Sequence, residues 1–279
     1  MYYEILYIKF FLIYSMSAIT GPWTTPQKVS FRFVFLTFTL FMFIVNNGTL
    51  PIVYFIIRYL NNALDRFIPW MAGTFLHLGR EVTHVPSGSG DSTFDYLLLL
   101  CILMASVIGT VIWTAIDRKA IHYQTLYYWL TVAARYYVAF MLIHYGLIKV
   151  VKLQFASPGQ TRLNEAYGDS SPMGLAWTFL GYSKGYNIFM GIAEISAAFL
   201  LFRKTAVIGA ILALMVSLNI MAINFFYDVP VKIVSTALVA LSIFLLSAHI
   251  GRLYKFFIAG EATALKIIEA PYIKKKWLR

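Results

Sequence analysis

Residues 94–116 read FDYLLLLCILMASVIGTVIWTAI, and Asp95 is the one charge in the stretch. About 20 predominantly apolar residues suffice for a helix to cross the hydrocarbon of a bilayer. In lipid every backbone N–H and C=O must be satisfied inside the segment, which leaves a helix as the solution for a run of this kind. Five further stretches qualify, some with their flanks: one from residue 31 through FVFLTFTLFMFIV, then 126–151, 186–202, 205–227 and 231–250. The chain is 279 residues long, 60% hydrophobic and 13% charged, too little polar surface for a water-soluble domain. The expected class is an all-α integral membrane protein with about six transmembrane helices.

The net charge of +11 would suit a nucleic-acid partner, but its placement argues against one. With the N-terminus inside, the inner side carries Lys28, Arg32, Arg118, Lys119, Arg203, Lys204, Arg252, Lys255, Lys266, Lys274, Lys275, Lys276 and Arg279. The outer side carries Arg58, Arg66, Arg80, Lys152, Arg162, Lys184 and Lys232, balanced by Asp65, Glu81, Asp91, Asp95, Glu165, Asp169 and Asp228. This asymmetry is the positive-inside pattern and puts both termini in the cytoplasm of a bacterial inner membrane. Such a surface attracts anionic lipid. The single cysteine, Cys101, lies inside an apolar run and reads as a small buried hydrophobe.

Four regions follow: 1–30, an interfacial or partly inserted segment broken by Glu4 and Lys9; 31–125, two spans with an outer surface helix and loop; 126–250, a membrane core; and 251–279, a basic cytoplasmic tail. The surface helix is read from Leu64, Phe67, Ile68, Met71, Phe75 and Leu78, which make one helical stripe opposite Asp65, Arg66 and Thr74, with Pro69 near a kink. In the outer loop, SSPMGLAWTFLG predicts a short helix capped by Ser171, with Pro172 in first position and Gly181 at its stop. Met173, Leu175, Ala176 and Trp177 would be partly buried over the mouth of the bundle.

The third span carries Arg135, His144 and Lys149, and a basic residue in hydrocarbon normally has a partner or a task. Arg135, Leu142, Gly146 and Lys149 share a face, as do Asn187, Gly191 and Glu194 on the fourth span. At about 1.5 Å per residue, Arg135 lies roughly 14 Å from the inner end and Glu194 roughly 12 Å from the outer one. Across a core of about 30 Å their depths differ by about 4 Å, which makes Arg135 and Glu194 candidate partners in an intramembrane ion pair. Gly146 and Gly191 permit close approach of the two helices. Toward the outer face, Lys149, His144, Asn219, Asn224, Asp228 and Lys232 converge beneath a loop carrying Asp169 and Trp177. These eight form a candidate pocket for a lipid head group or a quinone, with Lys149 facing Asp228 or Asp169. The competing reading has Lys149 snorkelling to the interface. No metal-ligand spacing, phosphate loop or nucleophile elbow is present in the sequence.

The segments ARYYVAFMLIHYGLIKVVKLQF, YGDSSPMGLAWTFLGYS, GIAEISAAFLLFRKTAVIGA and NFFYDVPVKI resemble the DoxX family of membrane proteins, in its long flavobacterial form. GSGDSTFDYLLLL and IWTAIDRK fit that form too. The resemblance implies a four-helix membrane core over 126–250. It further implies a membrane subunit of a redox- or quinone-linked system that works with an electron-transfer partner. The alternative it allows is a non-enzymatic scaffold, chaperone or assembly factor for an exported client protein.

Overall fold

The computed structural model describes residues 22–46, 49, 51–78, 82, 90–264 and 268, with backbone alone for 51–56. The expectation for 1–30 therefore lies largely outside the described residues, as does the basic tail beyond 264 apart from 268. The described residues form helices and no strand: α1 Thr25–Ile44, α2 Pro51–Thr74, α3 Thr93–Ile116, α4 Gln124–Val150, α5 Gln160–Leu163, α6 Pro172–Tyr182, α7 Lys184–Ile195, α8 Ala206–Phe226, α9 Lys232–Ser247 and α10 Ile250–Phe257. α1, α3, α4 and α8 are each long and apolar enough to cross a membrane, and a fifth span results if α9 and α10, bent by 79°, are counted as one.

Local sequence explains where these helices begin. At α1, Thr24 and Gln27 form a capping box. At α3, Ser92 Oγ accepts from Asp95 N at 3.3 Å while Asp95 Oδ2 accepts from Ser92 N at 2.9 Å. Within α3, Ser106, Thr110 and Thr114 each return their hydroxyl to the carbonyl four residues back at 2.7 Å, so no hydroxyl is stranded in hydrocarbon.

α4, α7, α8 and α9 pack as a four-helix unit, with α1 and α3 paired alongside it. The expected fourth span is not one continuous α-helix. α7 covers 12 residues and tightens into a 3₁₀ segment, Ser196–Leu201, of 6 residues. Ser196 Oγ bonds the Ala193 carbonyl at the point of tightening. A 3₁₀ turn rises more per residue, so the two pieces together cover about 30 Å. Gly146 and Gly191 bring α4 and α7 together as expected: a Cβ on Gly146 would lie 2.7 Å from the Gly191 carbonyl oxygen, and one on Gly191 would lie 2.5 Å from that of Gly146.

α2 differs from expectation in length and in face. Its packed side is narrower: Ile68 and Ala72 are buried with Phe94 and Leu97 of α3, joined by Leu64, Met71 and Cys101. Phe67, Phe75 and Leu78 are exposed. The rings of Phe67 and Phe75 pack instead on Trp70, at 5.8 and 5.5 Å between centroids, and form an aromatic surface suited to the interface.

The role of Arg32 has no signal in the sequence pattern. Arg32 is 3% exposed, two turns into α1. Its Nε donates to the Tyr123 hydroxyl at 2.9 Å, one terminal nitrogen donates to Thr114 Oγ1 at 2.9 Å, and the other to the Asp117 carbonyl at 2.8 Å. Trp113 and Tyr123 present ring faces to the guanidinium. Tyr123 in turn donates to Asp117 Oδ2 at 2.8 Å, and this hydrogen bond holds the Asp117 carboxyl below the usual carboxylate range. The cluster locks α1, the end of α3 and the start of α4 to one another.

Candidate functional site

α4, α7, α8 and α9 enclose a cavity of about 690 Å³ at the end of the bundle where α4 finishes. The lid is the connection between α4 and α7. Ser171 caps α6 by accepting from Gly174 N at 3.0 Å, Pro172 opens the helix, and α6 runs to Tyr182, one residue past the expected stop. Met173, Leu175 and Trp177 are half-buried and Ala176 is buried, as the sequence pattern requires. Gly181 serves close contact instead of termination, since a Cβ there would meet the Ala156 carbonyl oxygen at 2.2 Å. Trp177 and Phe155 meet edge to face at 5.0 Å and roof the cavity.

The floor carries a buried ion pair. Lys149 (6% exposed) donates to Glu194 Oε1 (3% exposed). Lys149 sits in the last turn of α4, where the helix dipole favours a cation, and its ammonium lies 5.8 Å from the Phe155 ring centroid. The other carboxylate oxygen, Glu194 Oε2, is buried without a hydrogen-bond partner, and so is Gln154 Oε1 on the wall. Asn224 and Asn219 of α8 add polar groups, and Asn224 Nδ2 donates to the Val231 carbonyl at 3.2 Å. Apolar walls with a few convergent polar groups are the usual make-up of a small-molecule site.

The expected Arg135–Glu194 pair does not form. Arg135 Nε donates to the Leu200 carbonyl at 2.8 Å, and Glu194 takes Lys149. Side-chain direction decides this. Helical side chains lean toward their own N-terminus. α4 and α7 run in opposite directions, so Lys149 and Glu194 lean toward each other across the Gly146–Gly191 contact, while Arg135 leans away. Matching Cα depths missed that difference.

Of the eight residues expected in the pocket, Lys149, Trp177, Asn219 and Asn224 line it. The other four are elsewhere. His144 precedes Lys149 by five positions, about 140° around the helix, and is exposed against Tyr145. Asp169 is exposed in the 3₁₀ turn Tyr167–Asp169. Asp228, at a φ of 50°, points outward and pairs with Lys232 at 2.7 Å, so neither meets Lys149. Gln154 gave no sequence signal, because its position depends on the path of the loop. Asp91 reads in the sequence only as an outer charge, yet its carboxylate accepts from Lys232 N at 2.6 Å and Ile233 N at 3.0 Å and caps α9 from 141 positions away.

Helices suited to a bilayer, closed around a lidded cavity with an ion pair at its floor, define the class: an all-helical protein of the multi-pass membrane kind. The chain belongs to the family of the uncharacterized protein YwoB of Bacillus subtilis (strain 168), to which it is 38% identical over 113 residues, 40% of this chain and 71% of that relative. No family model matches the chain, and no solved structure matches it.

Proposed function

We propose that this chain is a DoxX-like inner-membrane protein, the membrane subunit of a redox-linked system, and that its lidded cavity takes the head ring of a quinone. The observation that carries the reading is the cavity floor. A quinone oxygen needs a hydrogen-bond donor and the reduced hydroxyl an acceptor. Lys149 supplies the first, while Glu194 Oε2 and Gln154 Oε1 are buried acceptors without partners. The walls from Leu142, Ile220 and Leu238 and the roof from Phe155 and Trp177 suit a flat apolar ring. When bound, a quinone supplies two-electron, two-proton carrier chemistry. The chain's own part is to orient the ring, exclude water beneath the lid and hold a proton between Lys149 and Glu194. An electron-transfer protein is the partner this reading requires. The scaffold alternative calls for a filled outer face, and a cavity of about 690 Å³ favours the first reading.

The reading includes six spans, with α7 and its 3₁₀ extension counted as one, both termini cytoplasmic and the lid outside. Cysteine at Gln160 in a Cys101→Ala background should label from outside intact cells. Labelling of cysteine at Ala120 from outside would overturn the orientation. The function is tested by purifying the protein from its native membrane and extracting bound quinone. Lys149→Met with Glu194→Leu should remove the quinone and leave a folded protein. Undiminished quinone in that variant sinks the proposal.

A further inference from the structure

A second cavity, of about 260 Å³, lies at the opposite end of the bundle, between the first half of α4, the start of α8 and the bend after α9. At a share of ~30 Å³ per water it has room for about nine water-sized groups. Three kinds of donor converge on it, with an imidazole beside them. Arg135 is 8% exposed, and beyond its Nε contact to the Leu200 carbonyl its guanidinium has no partner among the described residues. Arg203 and Lys204 line the rim, and Arg203 also contacts the Tyr128 hydroxyl. Ala206, Val207 and Ile208 form the first turn of α8 and line the cavity, and no side chain caps this 21-residue helix. Their backbone N–H groups therefore lack intrahelical partners and carry the positive end of the helix dipole. His249 is 6% exposed with Nδ1 buried and unpartnered.

No described carboxylate lies within ion-pair distance of Arg135, Arg203 or Lys204. The contrast with the floor of the other cavity is chemical. There a lysine has its own carboxylate, and here an almost fully buried arginine, two rim cations and a bare helix start face a common space. A buried guanidinium without a counterion is costly unless something anionic completes it. A helix N-terminus with an arginine beside it is a phosphate-binding arrangement.

We infer that this second cavity is a binding site for a phosphate-bearing anion, with Arg135 at its base, the first turn of α8 as backbone donors and Arg203 and Lys204 at its mouth. The inference stands independently of the quinone reading, which concerns other residues at the other end of the bundle. Two sources supply the same chemistry: the phosphodiester of an anionic phospholipid, or a soluble phosphate. The rim favours the lipid, because Ile208 is 53% exposed beside the exposed Arg203 and Lys204 and offers apolar surface for an acyl chain next to the charges.

The test uses the full chain, delipidated in detergent. Native mass spectrometry reads adducts with added phosphatidylglycerol or, as a phosphate-free control, diacylglycerol. A thermal-shift series with sodium phosphate against sodium chloride at matched ionic strength reads the soluble anion. Phosphatidylglycerol should be retained over diacylglycerol, and Arg203→Gln with Lys204→Gln should weaken it about tenfold, the loss of one or two charge-assisted hydrogen bonds. Arg135→Gln should abolish it. Because that variant removes a buried charge and can fail to fold, the rim double variant decides the matter alone. Phosphate stabilisation that the rim variant loses, without lipid adducts, supports the site with a soluble anion as its source. Diacylglycerol retained as well as phosphatidylglycerol, retention undiminished in the folded rim variant, or neither adduct nor thermal shift, overturns the inference.

Discussion

The two ends of the four-helix unit handle buried positive charge in opposite ways. At the lid end, Lys149 and Glu194 neutralise each other, and the unmet capacity belongs to acceptors, Glu194 Oε2 and Gln154 Oε1. At the other end, Arg135 borrows a backbone carbonyl from Leu200 and keeps the rest of its donors for a cavity ringed by Arg203 and Lys204. On the readings proposed above, the lid end takes a nearly neutral ligand with its own hydrogen-bonding groups and the other end takes an anion. The cause is local. Leu200 lies in the 3₁₀ stretch that follows α7, and Gly209 of α8 packs on it so closely that a Cβ would meet Leu200 N at 2.5 Å.

The sharpest way to break this comparison is to strand one member of the ion pair. Glu194→Ala leaves Lys149 buried and unpaired and should destabilise by roughly 3–5 kcal/mol. Lys149→Met with Glu194→Leu should cost clearly less than the sum of the single changes, as read by thermal unfolding in detergent. The same cycle run on Arg135 and Glu194 should be additive. Coupling between those two, and none between Lys149 and Glu194, would invert the assignment of the two ends.

A smaller effect is expected where the helices cross. Gly146→Ala forces a methyl toward the Gly191 carbonyl and should cost about 1–3 kcal/mol, the usual range for overpacking. The ion pair should loosen with it, so quinone retention should fall in parallel while phosphatidylglycerol retention at the other end holds. Loss of both together would mean that the ends do not act separately.

The smallest effect concerns pH. Asp117 has its carboxyl held below the ordinary range by the Tyr123 hydroxyl. The stabilisation is therefore complete above the unfolded carboxylate's value and is lost as pH falls through the lower folded one. Melting temperature should decline in acid, and Asp117→Asn should flatten that part of the profile. An unchanged acid profile in Asp117→Asn would remove Asp117 as its source.

Several of these features were legible in the chain before any coordinates. Apolar runs of bilayer length fixed the helical class, since lipid leaves the backbone no other partner. Ser171 and Pro172 marked the start of the lid helix, because a cap is a contact between neighbours in sequence. Gly146 and Gly191 announced a close helix contact. Lys149, Trp177, Asn219 and Asn224 were found from their level at the outer end of the spans or in the loop above it, and the same criterion drew in His144, Asp169, Asp228 and Lys232, which point elsewhere. Pairing was not legible. Whether Glu194 meets Arg135 or Lys149 depends on two antiparallel helices leaning their side chains toward opposite ends, and on an α-helix tightening to 3₁₀ at Ser196. Asp91 on α9 and Gln154 on the cavity wall depend on loop paths, which no periodicity encodes. The sequence determined what had to be buried. The tertiary structure decided which buried charge found a partner, because that is settled by side-chain direction across a contact and not by depth along a helix.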